Sequence, residues 1–238
     1  PTATNTAGSK RLVDGNFIQT AVRSRGAVLI WTDTALYQMQ FIGPPLTFGF
    51  NQLGSACGCI GLNAAVDVGG VSFWMGTDSF FLFDGAVQKI PCSVQDYVFD
   101  DLNVNAKQDI FCAANTDYNE VMWFYASANS QQIDRVVFYN YAENLWYVGT
   151  LSRTSWADRG TYDNPYAAEF KSTDTTATIS TITGLKAGRT FIHLHETGSN
   201  DDGAANGGDY SSGVEAWVSS YKGGGTWKQT SYNNNARG

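Results

Sequence analysis

Three tryptophans recur at nearly even spacing in this chain, and each sits in a short apolar run bounded by turn residues. Trp31 lies in Ala27-Val-Leu-Ile-Trp31, Trp74 in Gly70-Val-Ser-Phe-Trp-Met75 and Trp123 in Asn119-Glu-Val-Met-Trp-Phe-Tyr125. The intervals are 43 and 49 residues. Each run opens the same grammar of strand, turn, strand, turn, strand. Ala35, Tyr37, Met39 and Phe41 alternate with polar or smaller partners, Pro44-Pro45 interrupts them, and Leu46, Phe48 and Phe50 resume the alternation. After Trp74 come the Gly76-Thr-Asp78 turn, the strand Phe80-Phe-Leu-Phe83, the Asp84-Gly85 turn and a strand over Ala86–Pro91. After Trp123 come a longer loop at 126–134, Arg135–Tyr141, a turn at Ala142–Asn144 and Leu145–Val148. Period-2 alternation of this kind reads as half-buried strands. A unit of 40–50 residues holding three or four strands is the signature of a β-propeller blade, because a lone four-stranded sheet exposes two faces that only stacking can cover. A two-sheet sandwich accounts for the strands equally well but not for the recurrence.

Composition points the same way. The chain has 17 Asp and 17 Asn with 25 Gly, against 5 Glu, 12 Leu and 7 Lys, so turn formers outweigh helix formers. The expected class is all-β and propeller-like, an incomplete or partial chain with a long insertion. Residues 1–16 read as a polar lead-in and 17–151 as the blades. Residues 152–188, with Ser172-Thr-Asp-Thr-Thr-Ala-Thr-Ile-Ser-Thr-Ile-Thr183, read as a Thr/Ser-rich insertion or long hairpin. Residues 189–221 read as a degenerate blade and 222–238 as a Gly/Asn-rich tail. The start at Pro1 and the polar close at Tyr232–Gly238 suggest a piece of a longer chain.

Charge narrows the function classes. A net charge of −7 disfavours tight binding to a phosphate backbone, which needs surplus Lys and Arg facing it. Only 16% of residues are charged and 14% are aromatic, which suits a surface partly covered by neighbours. No run approaches the ~18 apolar residues of a membrane-spanning helix. Cys57, Cys59, Cys92 and Cys112 are too few for a disulfide scaffold, and only one C-x-C pair is close, so buried free thiols are the expectation rather than a zinc site.

Candidate chemistry is thin. His193 and His195, with Glu196 beside them, share one face of a strand and could begin a metal site if Asp201, Asp202 or Asp209 supplied a third ligand. Ordinary strand residues near a sheet edge are the plainer reading. Asn200-Asp-Asp-Gly203 has a calcium-like composition without the spacing of a calcium loop, and Asx turns explain it as well. Ser220-Tyr-Lys-Gly-Gly-Gly-Thr-Trp227 resembles the Asp-box of sialidase-type propellers, with Lys222 in place of the Asp and only one copy. No paired carboxylates, nucleophile elbow or phosphate loop stands out, so no catalytic, cofactor-binding or metal residue is assigned.

Several stretches in order carry a family resemblance. Gly26-Ala-Val-Leu-Ile-Trp-Thr-Asp-Thr-Ala-Leu-Tyr-Gln-Met-Gln-Phe-Ile-Gly43 resembles a blade of the tail nozzle proteins of short-tailed bacteriophages, also called packaged-DNA stabilisation or tail hub proteins. Gly58–Gly61 leading to Val71–Gly76, Phe81–Gly85, Phe138–Trp146, and His195–Gly203 followed by Val214–Val218 are similar in the same order. The resemblance spans most of residues 15–220 and departs at 152–188 and 222–238. It implies a β-propeller in a ring of identical subunits, a hexamer, below portal and adaptor. Such a ring extends and closes the DNA-ejection channel and anchors tail fibres or spikes. It further implies DNA as passing cargo only, no membrane insertion, no enzymatic activity and no cofactor, with assembly in the host cytoplasm and residence in the virion tail. Loops 126–134 and 197–213 are then expected to meet neighbours. A glycan-binding or glycan-cleaving propeller is the alternative.

Overall fold

The computed structural model describes residues 8–160, 163–171, 189–196, 214–216 and 229–231. The expected acidic ligands at 201, 202 and 209, the 197–213 loop, the Asp-box-like run and the 222–228 and 232–238 parts of the tail lie outside these. The chain divides into two compact units, Pro1–Leu151 and Ser152–Gly238.

The first unit is mostly β, built from three consecutive four-stranded antiparallel sheets, each a meander in chain order. The first sheet comprises β1 (Ile18–Ser24), β2 (Ala27–Thr32), β3 (Ala35–Gly43) and β4 (Thr47–Ser55). The second comprises β5 (Ala65–Val68), β6 (Val71–Met75), β7 (Phe80–Phe83) and β8 (Val87–Ile90). The third comprises β9 (Phe111–Asn115), β10 (Glu120–Tyr125), β11 (Arg135–Asn140) and β12 (Leu145–Gly149). Local chemistry explains the turns. Arg25 and Gly26 both have positive φ, 44° and 80°, which gives the two-residue hairpin whose twist matches the strands it joins. At the next turn the Thr32 hydroxyl accepts from the amides of Ala35 at 2.8 Å and Thr34 at 3.2 Å. Asp67 accepts from the Gly70 amide at 3.0 Å to close the β5–β6 turn. Loop 126–134 is tied down within the chain: Asp134 accepts from the Ser127 amide and hydroxyl, and Asn103 donates to the Ser130 carbonyl.

Alternation then decides which side chain covers which neighbour. On the second sheet Trp74 and Phe81 share one face, stacked 5.5 Å apart, and Trp74 meets Trp31 of the first sheet at 5.4 Å. Phe73 and Phe80 occupy the other face and meet the third sheet, Phe73 against Tyr139 and Tyr141, Phe80 against Trp123 and Trp146. The middle sheet is thus covered on both sides, and one continuous core runs through all three. Trp31, Trp74 and Trp123 are fully buried.

The three tryptophans are not equivalent in direction, which spacing alone concealed. Trp74 and Trp123 point back along the series, each donating its indole N–H to a linker carbonyl, Cys57 at 2.8 Å and Ala64 at 3.2 Å. Trp31 points forward, and its buried indole N–H has no acceptor among the described residues. An odd shift of one residue in a strand exchanges the faces, so a recurrence in sequence can hold while parity does not.

Among the described residues, helix is confined to the linker after the second sheet and a three-residue 3-10 turn, Thr116–Tyr118, between β9 and β10. After the second sheet come α1 (Gln95–Asp100), whose Val98 is buried, and a 3-10 turn over Val104–Asp109. The sequence signals no helix here, since six residues with one buried position carry no readable period.

In the second unit β13 (Ser155–Ala157), β14 (Tyr166–Lys171) and β15 (Arg189–Leu194) form a three-stranded antiparallel sheet, and β16 (Val214–Ala216) pairs with β17 (Gln229–Ser231). Residues 155–157 and 166–171, expected within the insertion, are strands of the same sheet as 189–194.

Candidate functional site

The described residues bring one group of ionisable side chains together in the buried interior, in the second unit around the two histidines. His193 lies on β15 opposite the small Ala167 of β14, and Glu169 sits two residues further along β14 on the same face. The His193 ring N–H donates to the Glu169 carboxylate, Nε2 to Oε2, at 2.8 Å. Arg153, just before β13, reaches the same carboxylate oxygen from Nη1 at 3.4 Å. Its Nε donates to His195 Nε2 at 3.1 Å, and its Nη1 also donates to the Ser152 carbonyl. Trp156 closes the group, its ring 4.6 Å from that of His195. Arg153, Glu169 and His193 are all buried.

The pattern dictates the charge states. Arg153 stays protonated, and the carboxylate beside it balances that charge at low exposure. Because His195 accepts at Nε2, its proton sits on Nδ1 and the ring is neutral. Burial, then the Arg153 charge, then His193 depress the His195 pKa to about 3. Both Nε2 atoms are engaged by protein partners, so a metal at those atoms would have to displace Glu169 and Arg153. Among the described residues no three His, Cys, Asp or Glu side chains gather as a metal site. The arrangement joins the segment before β13 to β14 and β15, which makes it a polar staple across the sheet. The sequence displays the histidine pair but not its partners. The one available signal is Glu169 itself, a rare Glu on the Ala167 face of an alternating strand.

A pH dependence follows. A histidine whose folded pKa lies near 3, below its ordinary 6.5, is protonated first in the unfolded chain. Stability from this group is complete above pH 6.5 and falls as pH drops toward 3, by at most about 1.4 kcal/mol per pH unit. Urea midpoints measured from pH 7 to 4 are expected to fall, and His195→Gln, which keeps an acceptor for Arg153 but cannot protonate, is expected to flatten the slope in that window.

The cysteines are structural. All four are free, Cys57 and Cys59 buried. Cys57-Gly58-Cys59 is not in a strand. It is the linker after β4, and its amides bond to the carbonyls of Thr34 at 3.0 Å and Thr32 at 3.1 Å. Burial pushes the Cys59 thiol up to about 12 and Cys92 to about 11, and raises Cys112 well above its ordinary value. These groups rest as neutral thiols, poor nucleophiles and poor metal ligands.

No protein-family model matches the chain. A comparison with curated proteins finds no match either. Among solved structures, a chain of the S. cerevisiae Dbp5 complex with Nup159, Gle1, IP6 and ADP is 10% identical at a TM-score of 0.35. That likeness covers 75% of this chain and 44% of that one, so the chain spans less than half of its length. A putative exported protein from Bacteroides fragilis is 8% identical at a TM-score of 0.31, over 66% of this chain and 67% of that one. Neither likeness bears on fold or role. No described helix is long and apolar enough to cross a membrane.

Proposed function

We propose that the three stacked sheets are blades of a β-propeller and that the chain is a structural subunit of a phage tail nozzle. In this reading identical subunits form a ring below portal and adaptor that extends and closes the DNA-ejection channel and anchors fibres or spikes. DNA passes as cargo and is not bound. The observation that carries the architecture is the middle sheet, covered on both faces by its neighbours in chain order through Trp31–Trp74 and Phe80–Trp123. The motifs of the resemblance support the role: Gly26–Gly43 is the β2–β3 hairpin with its flanking turns, and Phe138–Trp146 is the β11–β12 hairpin. The full burial of Trp74 and Trp123 withdraws them as a platform for stacking sugars. The negative chain fits a conduit whose wall must not hold passing DNA.

Purification from infected cells tests the role. The full-length protein is expected to co-purify with portal and adaptor proteins as a sixfold ring on electron micrographs. A stable monomer that binds an oligosaccharide would overturn the reading in favour of a glycan-binding propeller.

A further inference from the structure

Strands β3 and β4 are each nine residues long, and they outrun the rest of their sheet. Strand β2 pairs with β3 only from Leu36 to Met39, whereas β3 and β4 continue to pair out to Gly43 and Thr47. The hairpin therefore projects beyond β2 by about 10–13 Å at the usual rise per residue. The projecting end is apolar and open. Phe41 is 65% exposed, Ile42 55%, Leu46 70% and Phe48 47%. Phe41 and Phe48 meet edge to face at 6.0 Å, and Met39 and Phe50, half-buried, continue the same face. These four exposed side chains present on the order of 400 Å² of apolar surface, at the upper end of what a monomer leaves in contact with water.

We propose that this hairpin tip is a self-association surface and that its occupant is a second copy of this chain. Two observations select that occupant. The sequence has no Asp, Glu, Lys or Arg between Asp33 and Asp67, although the chain carries a net charge of −7. Copies of an acidic chain repel one another, and the tip is where they can meet without burying or opposing a charge. The tip also has open ladder edges. Among the described residues the outer edge of β3 beyond Met39 has no partner strand, and β4 is the edge strand of its sheet. Lipid cannot satisfy those N–H and C=O groups, whereas a protein surface can. The tip covers about half of one side of a standard interface, so it acts as one contact among several in a ring. This assignment rests on the ring of identical subunits proposed above and names the surface that builds it.

The test is analytical ultracentrifugation of the full chain across about 1–100 μM, a range that brackets micromolar association, for the wild type and for Phe41→Gln/Leu46→Gln. Both residues lie outside the buried core, so circular dichroism, and the urea midpoint at a dilution where both proteins are monomeric, are expected to be unchanged. The control Leu145→Gln alters an apolar residue of similar exposure on the third sheet. The wild type and the control are expected to self-associate, with the dissociation constant of the tip variant raised at least ~10-fold, or about 1.4 kcal/mol. A tip variant that assembles like the wild type overturns the assignment and leaves the ring reading standing. A wild type that stays monomeric throughout overturns both. A monomer that binds neutral phosphatidylcholine vesicles through the tip overturns the assignment in favour of a lipid occupant.

Discussion

Trp123→Ala is expected to lower the unfolding free energy of the first unit by about 3–5 kcal/mol, as large-to-small substitutions of buried aromatics do. The indole is fully buried and fills the space between the second and third sheets, 4.8 Å from Phe80 and 6.0 Å from Trp146. Its removal leaves a void too deep in the stack for either sheet to collapse into. It also deletes the hydrogen bond to Ala64, although that carbonyl keeps the Met75 amide as a donor at 3.1 Å, so the loss is chiefly one of packing. Urea unfolding followed by the remaining tryptophans measures it. A loss below about 1 kcal/mol would place the ring at the surface and undo the description of the interface.

Gly58→Ala is expected to be as costly, about 3–5 kcal/mol, for a different reason. A Cβ at Gly58 would stand 2.1 Å from the Asp33 carbonyl oxygen and 2.2 Å from its carbon. These are backbone atoms of the β2–β3 turn, and no side-chain rotation relieves the clash. To make room, the linker must move away from the turn. Its movement strains the two hydrogen bonds on either side, Cys57 to Thr34 and Cys59 to Thr32. It also shifts the Cys57 carbonyl that accepts from Trp74, so a single methyl group reaches the core of the second sheet. The urea midpoint of the variant reports the cost directly. A midpoint within error of the wild type would mean that the linker does not lie against the turn.

Much of this architecture was legible in the alternation. Val71–Met75, Phe80–Phe83, Glu120–Tyr125 and Arg135–Asn140 announce themselves as strands, and the intervening Gly, Asp and Asn residues announce the turns. Which way each strand faces was not legible. Trp31 and Trp74 look like counterparts by spacing, yet they point toward each other, because a one-residue shift of position along a strand exchanges the faces. The C-x-C pair draws attention to its thiols, whereas Gly58 between them is the residue that matters, and only the approach of Asp33 reveals why. The histidine pair was visible, but its network was not. Arg153 and Glu169 reach the histidines from 42 and 24 residues away, and apart from the placing of Glu169 on the Ala167 face nothing local in either segment signals that contact. The exposed hairpin tip was read as a strand with a proline break. Its apolar residues look like core until β2 is seen to end short of them.

Coupling across both faces of the middle sheet is the most direct test. Double-mutant cycles measure it, one for Trp31 with Trp74 and one for Phe80 with Trp123, each by truncation to Leu and urea unfolding. Stacked sheets predict that both pairs couple, by about 0.5–1.5 kcal/mol each, since each is an aromatic contact across a sheet boundary. If either pair is additive within about 0.3 kcal/mol, the middle sheet has a neighbour on one side only and the serial stack is wrong.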